Sequence, residues 1–325
     1  MKKTLLFLSL MTTLALVQTS AHATQAQQIQ SNYIQSTYAK TKYPIVFAHG
    51  MFGFTRIGLD AIGIDYWYQI LPDLTRNGAN TWAARMSPLN SSEVRGEQYI
   101  QQLEEVMAIS GAQKLNLIGH SHGANAVRYA AGVMPEHVAS VITVAGANRG
   151  TIAATDVLKV AAKTGTSELL NILISAFGGV IVWAQGLDPK TYPHNAFAAG
   201  ESTSIEGTAI FNQKFPIGIP STACGDGAHS ENGIQLYSMT GNTSSTNVLD
   251  PLDYVMSALD KISVYKSGKN DGIVSVCSSK FGKTIRDNYH WNHVDEINQT
   301  LGIRGIFSQD PVSVYRQHAN RLKLA

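Results

Sequence analysis

The feature that most constrains this chain is the pentapeptide Gly-His-Ser-His-Gly at residues 119–123, because of what flanks it. A short, mostly apolar run at 114–118 predicts a buried strand before it, and residues 124–134 predict a helix after it. A serine between glycines at a strand-to-helix turn is typical of a nucleophile elbow, where a Cβ atom at either glycine would collide with neighbouring backbone. We therefore expect Ser121 to project from the end of a sheet as a nucleophile.

Predicted strands and helices alternate through the first half of the chain. The strands are predicted at 43–48, 81–85, 114–118 and 139–145, and the helices at 66–76, 93–109 and 124–134. Such alternation is typical of a mostly parallel central sheet with helices on both faces. Together with the elbow it predicts an α/β fold of the α/β-hydrolase type, built as a single domain over residues 24–325.

The first 23 residues predict a secretory signal peptide. Lys2 and Lys3 precede an apolar run at 5–17 that is too short to span a bilayer, and Ala-His-Ala at 21–23 is a small-x-small cleavage site. A membrane anchor or a buried helix is the alternative. Cleavage after Ala23 leaves 302 of 325 residues and lowers Lys+Arg from 25 to 23, equal to the 23 Asp+Glu. A neutral chain has no global field to attract nucleic acid.

Cys224 and Cys277 are the two cysteines of the chain. In an exported protein, a pair of cysteines is most simply one disulfide, here closing a loop of about fifty residues. Two free buried thiols are the alternative.

Residues 155–185 interrupt the alternation. The segment is rich in large apolar side chains and contains Gly178 and Gly179. It is compatible with buried core helices, with an amphipathic lid that opens at a lipid surface, or, less well, with a membrane span, which Glu168 and Asn171 would interrupt.

A serine nucleophile needs a histidine base, which in this fold follows the acid along the chain. A predicted last strand at 284–286 places the base on the loop after it, which favours His290 or His293. The other downstream candidates are His194, His229 and His318.

The acid is expected after the preceding strand, which we predict at 262–265. The turn at 267–272 then makes Asp271 the natural choice, with Asp287 as a weaker rival.

An oxyanion hole needs two backbone N–H groups directed at one point. The residue after the nucleophile, His122, supplies one of them at a helix N-terminus. The loop His49-Gly50-Met51 follows a predicted strand, and the Met51 amide is the second candidate.

Asp295 and Glu296 lie just beyond the candidate base His293. Such carboxylates suit a hard cation such as Ca²⁺, which takes six to eight oxygen ligands. An acid-rich helix N-terminus is an equally good interpretation from the residues alone.

Together these segments resemble the secreted Pseudomonas-type bacterial triacylglycerol lipases, the group that requires a dedicated foldase. The matching segments are 43–53, 92–98, 117–123, 270–272, 285–289, 292–299 and 310–322.

The resemblance implies a role for each matching position. Ser121, Asp271 and His293 match the nucleophile, acid and base, and Met51 and His122 match the oxyanion donors. Cys224 and Cys277 match a single disulfide. One structural Ca²⁺ would be held by the Asp250 and Asp295 carboxylates and the carbonyls of Gln299 and Ile303. Residues 155–185 match the lid.

The resemblance also implies a function. The chain would be exported through the periplasm to the extracellular medium, fold with a foldase, and hydrolyse long-chain acylglycerols at a lipid–water interface through an acyl-enzyme. The alternatives are a short-chain carboxylesterase without interfacial activation and a catalytically inactive lipid-binding module. The chain departs from the group at three places: Ala124, the longer loop at 55–63 and Asn148-Arg149. None of these departures falls on a residue to which the resemblance assigns a chemical role.

Overall fold

The computed structural model describes residues 26–58 and 63–323 of the chain. The predicted signal peptide at 1–23 and the middle of the loop at 55–63 lie outside the described residues.

The described strands, in chain order, are β1 (Gln27–Ile29), β2 (Ile45–Ala48), β3 (Arg56–Ile57), β4 (Ile64–Asp65), β5 (Thr81–Ala84), β6 (Leu115–His120), β7 (Val138–Val144), β8 (Ser230–Glu231), β9 (Ile234–Gly241) and β10 (Lys283–Tyr289). Eight of them form one sheet in the order β1-β5-β2-β6-β7-β9-β10, with β8 beside β9, and β3 pairs with β4 separately. Only β1 and β8 pair antiparallel in the larger sheet as described; the other neighbours are parallel.

The described α-helices are α1 (Ile70–Arg76), α2 (Ser92–Ser110), α3 (Gly123–Val133), α4 (Ile152–Thr164), α5 (Ser167–Ala184), α6 (Ala196–Thr203), α7 (Ile205–Lys214), α8 (Pro251–Ile262) and α9 (Pro311–Lys323). Successive residues of β2 point to opposite faces of the sheet: Val46 packs under α2 and α3, whereas Phe47 packs under α1 and α9. Helices on both faces of a mostly parallel sheet confirm the predicted α/β-hydrolase architecture.

The predicted elements of the first half are present with shifted ends. The largest shift is at α1, which begins at Ile70 rather than residue 66 because Gln69 has a left-handed backbone with φ of 60°. The helix predicted at 93–109 is α2, which starts after the Ser91 hydroxyl accepts the Val94 N–H and ends at Gly111 with φ of 68°.

The strand predicted at 262–265 is wrong. Residue 262 is the last residue of α8, and a 3-10 turn, Val264–Ser267, follows it. The signal for a helix was local: Asp250 caps the N-terminus through the Leu252 N–H, and Pro251 occupies the first helical position. The strand that precedes the Asp271 loop in the sheet is β9, which the sequence reasoning missed.

The predicted disulfide between Cys224 and Cys277 is present, with the Cα atoms 4.4 Å apart. It joins the segment after α7 to the loop before β10.

The segment predicted as a lid forms most of α4 and α5. Four large apolar side chains of α5 are more than half exposed: Leu169, Ile172, Val180 and Trp183. Within the described part of the chain, α5 is the one helix long and apolar enough to cross a membrane, and 19% of it is buried. The alternative of a buried core helix is therefore wrong for α5.

Candidate active site

The turn between β6 and α3 holds Ser121 at the carboxyl edge of the sheet. Ser121 has φ of 54°, a conformation that residues other than glycine rarely adopt. Its N–H donates to the Val144 carbonyl of the neighbouring strand at 2.9 Å. A Cβ atom at Gly119 would overlap the Gly123 carbonyl, and one at Gly123 would overlap the Ala48 carbonyl oxygen. The tight approach of these backbones explains both glycines of the pentapeptide.

Three side chains from separate loops form a hydrogen-bonded chain. The Ser121 Oγ lies 2.9 Å from the His293 Nε2, and the His293 Nδ1 lies 2.8 Å from the Asp271 Oδ2. Asp271 is fully buried, and its other carboxylate oxygen accepts the N–H groups of Ile273 and Val274 at 2.9 and 2.7 Å. The His293 N–H also donates to the Asp271 carbonyl at 2.8 Å, so backbone and side chain are both held.

The donor and acceptor roles in this chain follow from its chemistry. An ionised carboxylate only accepts hydrogen bonds, so the His293 Nδ1 carries the proton toward Asp271. The His293 Nε2 then has its lone pair toward Ser121 and can accept the hydroxyl proton. The arrangement can therefore activate a serine for attack on a carbonyl carbon.

The other candidates are held elsewhere. His290 is exposed, with its Nδ1 3.1 Å from the Ser308 hydroxyl. Asp287 pairs with Lys280 at 2.6 Å. The three remaining histidines contact other parts of the fold: His194 lies near Gly178 of α5, and His229 and His318 lie against the Tyr237 ring.

Two backbone N–H groups beside Ser121 are free to bind an anion. Within the described residues, neither the Met51 nor the His122 amide has a hydrogen-bond acceptor. The fully buried Arg95 guanidinium holds the Met51 loop by donating to the carbonyls of His49 and Gly50. Burial lowers the pKa of Arg95 to about 10, so this cation stays charged at neutral pH.

A buried network that the sequence reasoning missed joins this loop to His293. The Gly50 N–H donates to the Tyr66 hydroxyl at 2.9 Å, and that oxygen lies 2.7 Å from the His120 Nδ1. The His120 Nε2 lies 3.0 Å from the His293 carbonyl oxygen.

The roles within this network are mutually consistent. A carbonyl only accepts, so the His120 Nε2 carries a proton and the Nδ1 accepts the Tyr66 O–H. Burial, and next the neighbouring His293, lower the pKa of His120 well below its usual value, which keeps the ring neutral. His120 was visible as the neighbour of Ser121, but no local pattern marks Tyr66.

Asp250 and Asp295 are both fully buried, and each has a carboxylate oxygen without a hydrogen-bond donor among the described residues. The other oxygens accept from Thr300 at 2.9 Å and from Thr246 at 2.8 Å respectively. Burial raises the pKa of Asp295 to about 7. The hydrogen bonds from Asn292 and Thr246 oppose this rise, and the nearby Asp253 and Asp250 carboxylates add to it.

These two oxygens fit a cation. No group of three or more His, Cys, Asp or Glu in the described ranges could hold a metal, so a cation here also needs other oxygens. The Thr300 contact holds the segment carrying Gln299 and Ile303 against Asp250. Glu296 is directed elsewhere, because its Oε1 accepts the Gly241 N–H at 2.6 Å.

The departure at Ala124 is accommodated by the fold. Ala124 is fully buried, and a Cβ atom at Gly146 would lie only 2.7 Å from its methyl group. The missing side chain at Gly146 therefore makes room for the methyl group at Ala124.

Comparison with known proteins agrees with this fold and site. The α/β hydrolase fold family matches residues 43–180. A triacylglycerol lipase of Vibrio cholerae is 43% identical over 282 residues, and the match covers 86% of this chain and 88% of the Vibrio protein. A triacylglycerol lipase of Burkholderia plantarii is 38% identical over 315 residues, and the match covers 86% of each of the two chains. The crystal structure of Staphylococcus hyicus lipase superposes with a TM-score of 0.62 at 17% identity, over 91% of this chain and 98% of its own.

The fold and these relatives define a serine ester hydrolase of the α/β-hydrolase class. More narrowly, the chain belongs to the family of bacterial triacylglycerol lipases, as the identity over most of its length to the Vibrio and Burkholderia proteins shows.

Proposed function

We propose that this chain hydrolyses the ester bonds of long-chain triacylglycerols at an oil–water interface. The hydrogen-bonded chain from Ser121 through His293 to Asp271 carries the proposal, because it supplies an activated nucleophile beside two free N–H groups. The names of the relatives support acylglycerol as the substrate class.

Each residue has a defined role in the proposed mechanism. The Ser121 Oγ attacks the ester carbonyl carbon while His293 takes its proton, and Asp271 keeps the imidazole in the required tautomer. The Met51 and His122 N–H groups bind the oxyanion of the tetrahedral intermediate. His293 returns the proton to the leaving alcohol, and water, activated by the same imidazole, then releases the acyl group.

The test combines labelling with a substrate series. A p-nitrophenyl phosphonate should label the wild-type protein at Ser121 and leave Ser121→Ala unlabelled. Turnover should fall at least about 10³-fold in Ser121→Ala while the melting temperature stays within about 2 °C, because the triad supplies most of the rate. If Ser121→Ala kept a tenth of the wild-type rate, this mechanism would be abandoned.

Esters of rising chain length, each measured in solution and as an emulsion, separate the two kinds of hydrolase. A lipase should be most active on emulsified long-chain esters. A rate that is highest on dissolved short-chain esters and does not rise at the interface would identify a short-chain carboxylesterase. Absence of both labelling and turnover would identify an inactive lipid-binding module.

The segment at 155–185 would act as the lid of this site. The exposed apolar side chains of α5 support this proposal. A disulfide that immobilises α5 should abolish activation by an interface while leaving hydrolysis of dissolved esters.

One Ca²⁺ would be held by the carboxylates of Asp250 and Asp295 and the carbonyls of Gln299 and Ile303. The two buried carboxylate oxygens without donors support this ligand set. Bound there, the ion would neutralise the two acids and hold in place the loop that begins at His293.

Export to the medium and folding with a foldase are proposed from the signal-peptide pattern and from the family resemblance. Recovery of a chain beginning at Thr24 from the culture medium would support export. Refolding of the denatured chain to full activity without a helper would remove the foldase from the proposal.

A further inference from the structure

Two neighbouring loops outside α5 also expose large apolar side chains. Val248 and Leu249 are 77% and 78% exposed, and Ile306 and Phe307 are 91% and 95% exposed. We call these four residues the loop-tip patch. Single exposed apolar residues are ordinary on protein surfaces, whereas grouped ones mark a contact surface.

The backbone around the patch is held by hydrogen bonds. Ile306 and Phe307 occupy the two central positions of a turn in which the Ser308 N–H donates to the Gly305 carbonyl at 2.9 Å. Such positions usually hold small or polar residues. The Ser308 hydroxyl in turn donates to the His290 carbonyl at 2.6 Å. The protruding side chains are thus fixed outward by the fold.

The two loops are also joined to each other. The Asn247 side chain donates to the Arg304 carbonyl at 2.8 Å, and its oxygen accepts the Leu249 N–H at 3.0 Å. The Tyr254 hydroxyl donates to the Val248 carbonyl at 2.9 Å. The loop-tip patch is therefore one surface rather than two unrelated loops.

The loop-tip patch lies at the edge of the sheet that carries the site. Its loops follow the carboxyl ends of β9 and β10, which are parallel to β6, whose carboxyl end leads to Ser121. From the patch, the exposed side chains of Tyr254, Val255 and Ile262 continue along α8. Lys266, just after α8, then pairs with Asp156 of α4 at 3.0 Å.

We propose that the loop-tip patch inserts into the electrically neutral lipid surface that carries the substrate, as an anchor separate from α5. This inference rests on the proposed function. Convex apolar tips suit a fluid phase that adapts to their shape, whereas a rigid protein partner would need a matching groove. None of the four residues is charged, and the nearby Arg304 is paired with Asp310 at 3.3 Å, so the patch favours uncharged lipid.

The test measures binding without turnover. Vesicles of ether-linked phosphatidylcholine, which is zwitterionic with no net charge and contains no carboxylic ester, are sedimented with the wild-type chain and with Ile306→Ser/Phe307→Ser. The double variant should bind at least about tenfold more weakly, which corresponds to about 1.4 kcal/mol. Its hydrolysis of dissolved p-nitrophenyl acetate and its melting temperature should match wild type, because both residues are almost wholly exposed.

The matched control is Ile109→Ser/Val133→Ser. These residues are 54% and 50% exposed at the ends of α2 and α3, which lead to the amino ends of β6 and β7 at the opposite edge of the sheet. The control should bind vesicles as wild type does.

Equal vesicle binding by wild type and Ile306→Ser/Phe307→Ser would overturn the proposal. So would a change from dimer to monomer in sedimentation velocity with unchanged vesicle binding, since the patch would then be a contact between chains. Failure of the proposed function would appear separately in the wild-type chain, as a rate on emulsified long-chain esters no higher than its rate on dissolved short-chain esters.

Discussion

Replacing Tyr66 with phenylalanine removes one oxygen atom from the buried network between the Gly50 loop and the His293 loop. That oxygen accepts the Gly50 N–H and lies within hydrogen-bond distance of the His120 Nδ1. The ring itself stays, so its packing against Trp67 and Phe54 is preserved. The change therefore isolates the hydrogen bonds from the packing.

The magnitude follows from the two groups left unpaired. A buried donor or acceptor without a partner costs about 1–3 kcal/mol, so loss of the Tyr66 oxygen should lower the free energy of unfolding by about 2–6 kcal/mol if neither group finds water. Rotation of His120 would also release the His293 carbonyl. A shift of about 1 Å in a catalytic group can cost about 100-fold in rate, so kcat should fall about 10- to 100-fold with little change in KM.

Tyr99→Phe is the matched control. Tyr99 is also fully buried and donates one hydrogen bond, to the Val46 carbonyl at 2.9 Å, but it lies on α2 away from the triad. Urea unfolding and the kinetics of a dissolved ester are measured for both variants. Tyr99→Phe should lose stability at unchanged kcat. If Tyr66→Phe also kept its kcat, the network would serve stability alone and the positioning argument would be refuted.

Three other perturbations have defined outcomes. Gly123→Ala should lower the free energy of unfolding by more than about 2 kcal/mol, because the added methyl group would overlap the Ala48 carbonyl. Gly111→Ala is the control: its methyl group would meet open space, and it should cost about 1 kcal/mol. Urea unfolding measures both variants. Chelation should lower the melting temperature and the activity together, and an unchanged melting temperature in excess chelator would contradict a structural ion. Burial lowers the pKa of His318 in the folded chain to about 3. As the pH falls below about 6.5, His318 is therefore protonated in the unfolded chain but not in the folded chain, and the folded chain loses stability. His318→Gln should remove about 1.4 kcal/mol per pH unit from the slope of unfolding free energy between pH 5.5 and 4.

Much of the first half of the fold could be predicted because its signals are local. The strand and helix around Ser121 have clear apolar patterns, and the glycines at 119 and 123 mark the tight turn between them. The second half was predicted less well. Ile262 favours a strand by residue type, yet it is the last residue of the helix that begins at Asp250-Pro251.

The residues of the candidate site were also predicted only in part from the sequence. The residues alone indicated Ser121 and the amides beside it, but left His290 and His293 as equal choices until the family resemblance favoured His293. The structure brings the His293 ring to Ser121 across 172 residues of sequence. It holds His290 by Ser308 instead.

The sequence by itself determined the elbow, the alternation of strands and helices, and the apolar character of residues 155–185, because each depends on neighbours along the chain. Only the tertiary structure decided which distant loops meet at the carboxyl edge of the sheet, that Tyr66 reaches His120, and that α5 is exposed. Those outcomes depend on the order of strands β6, β7, β9 and β10 and on which surfaces remain uncovered, and no local preference encodes either.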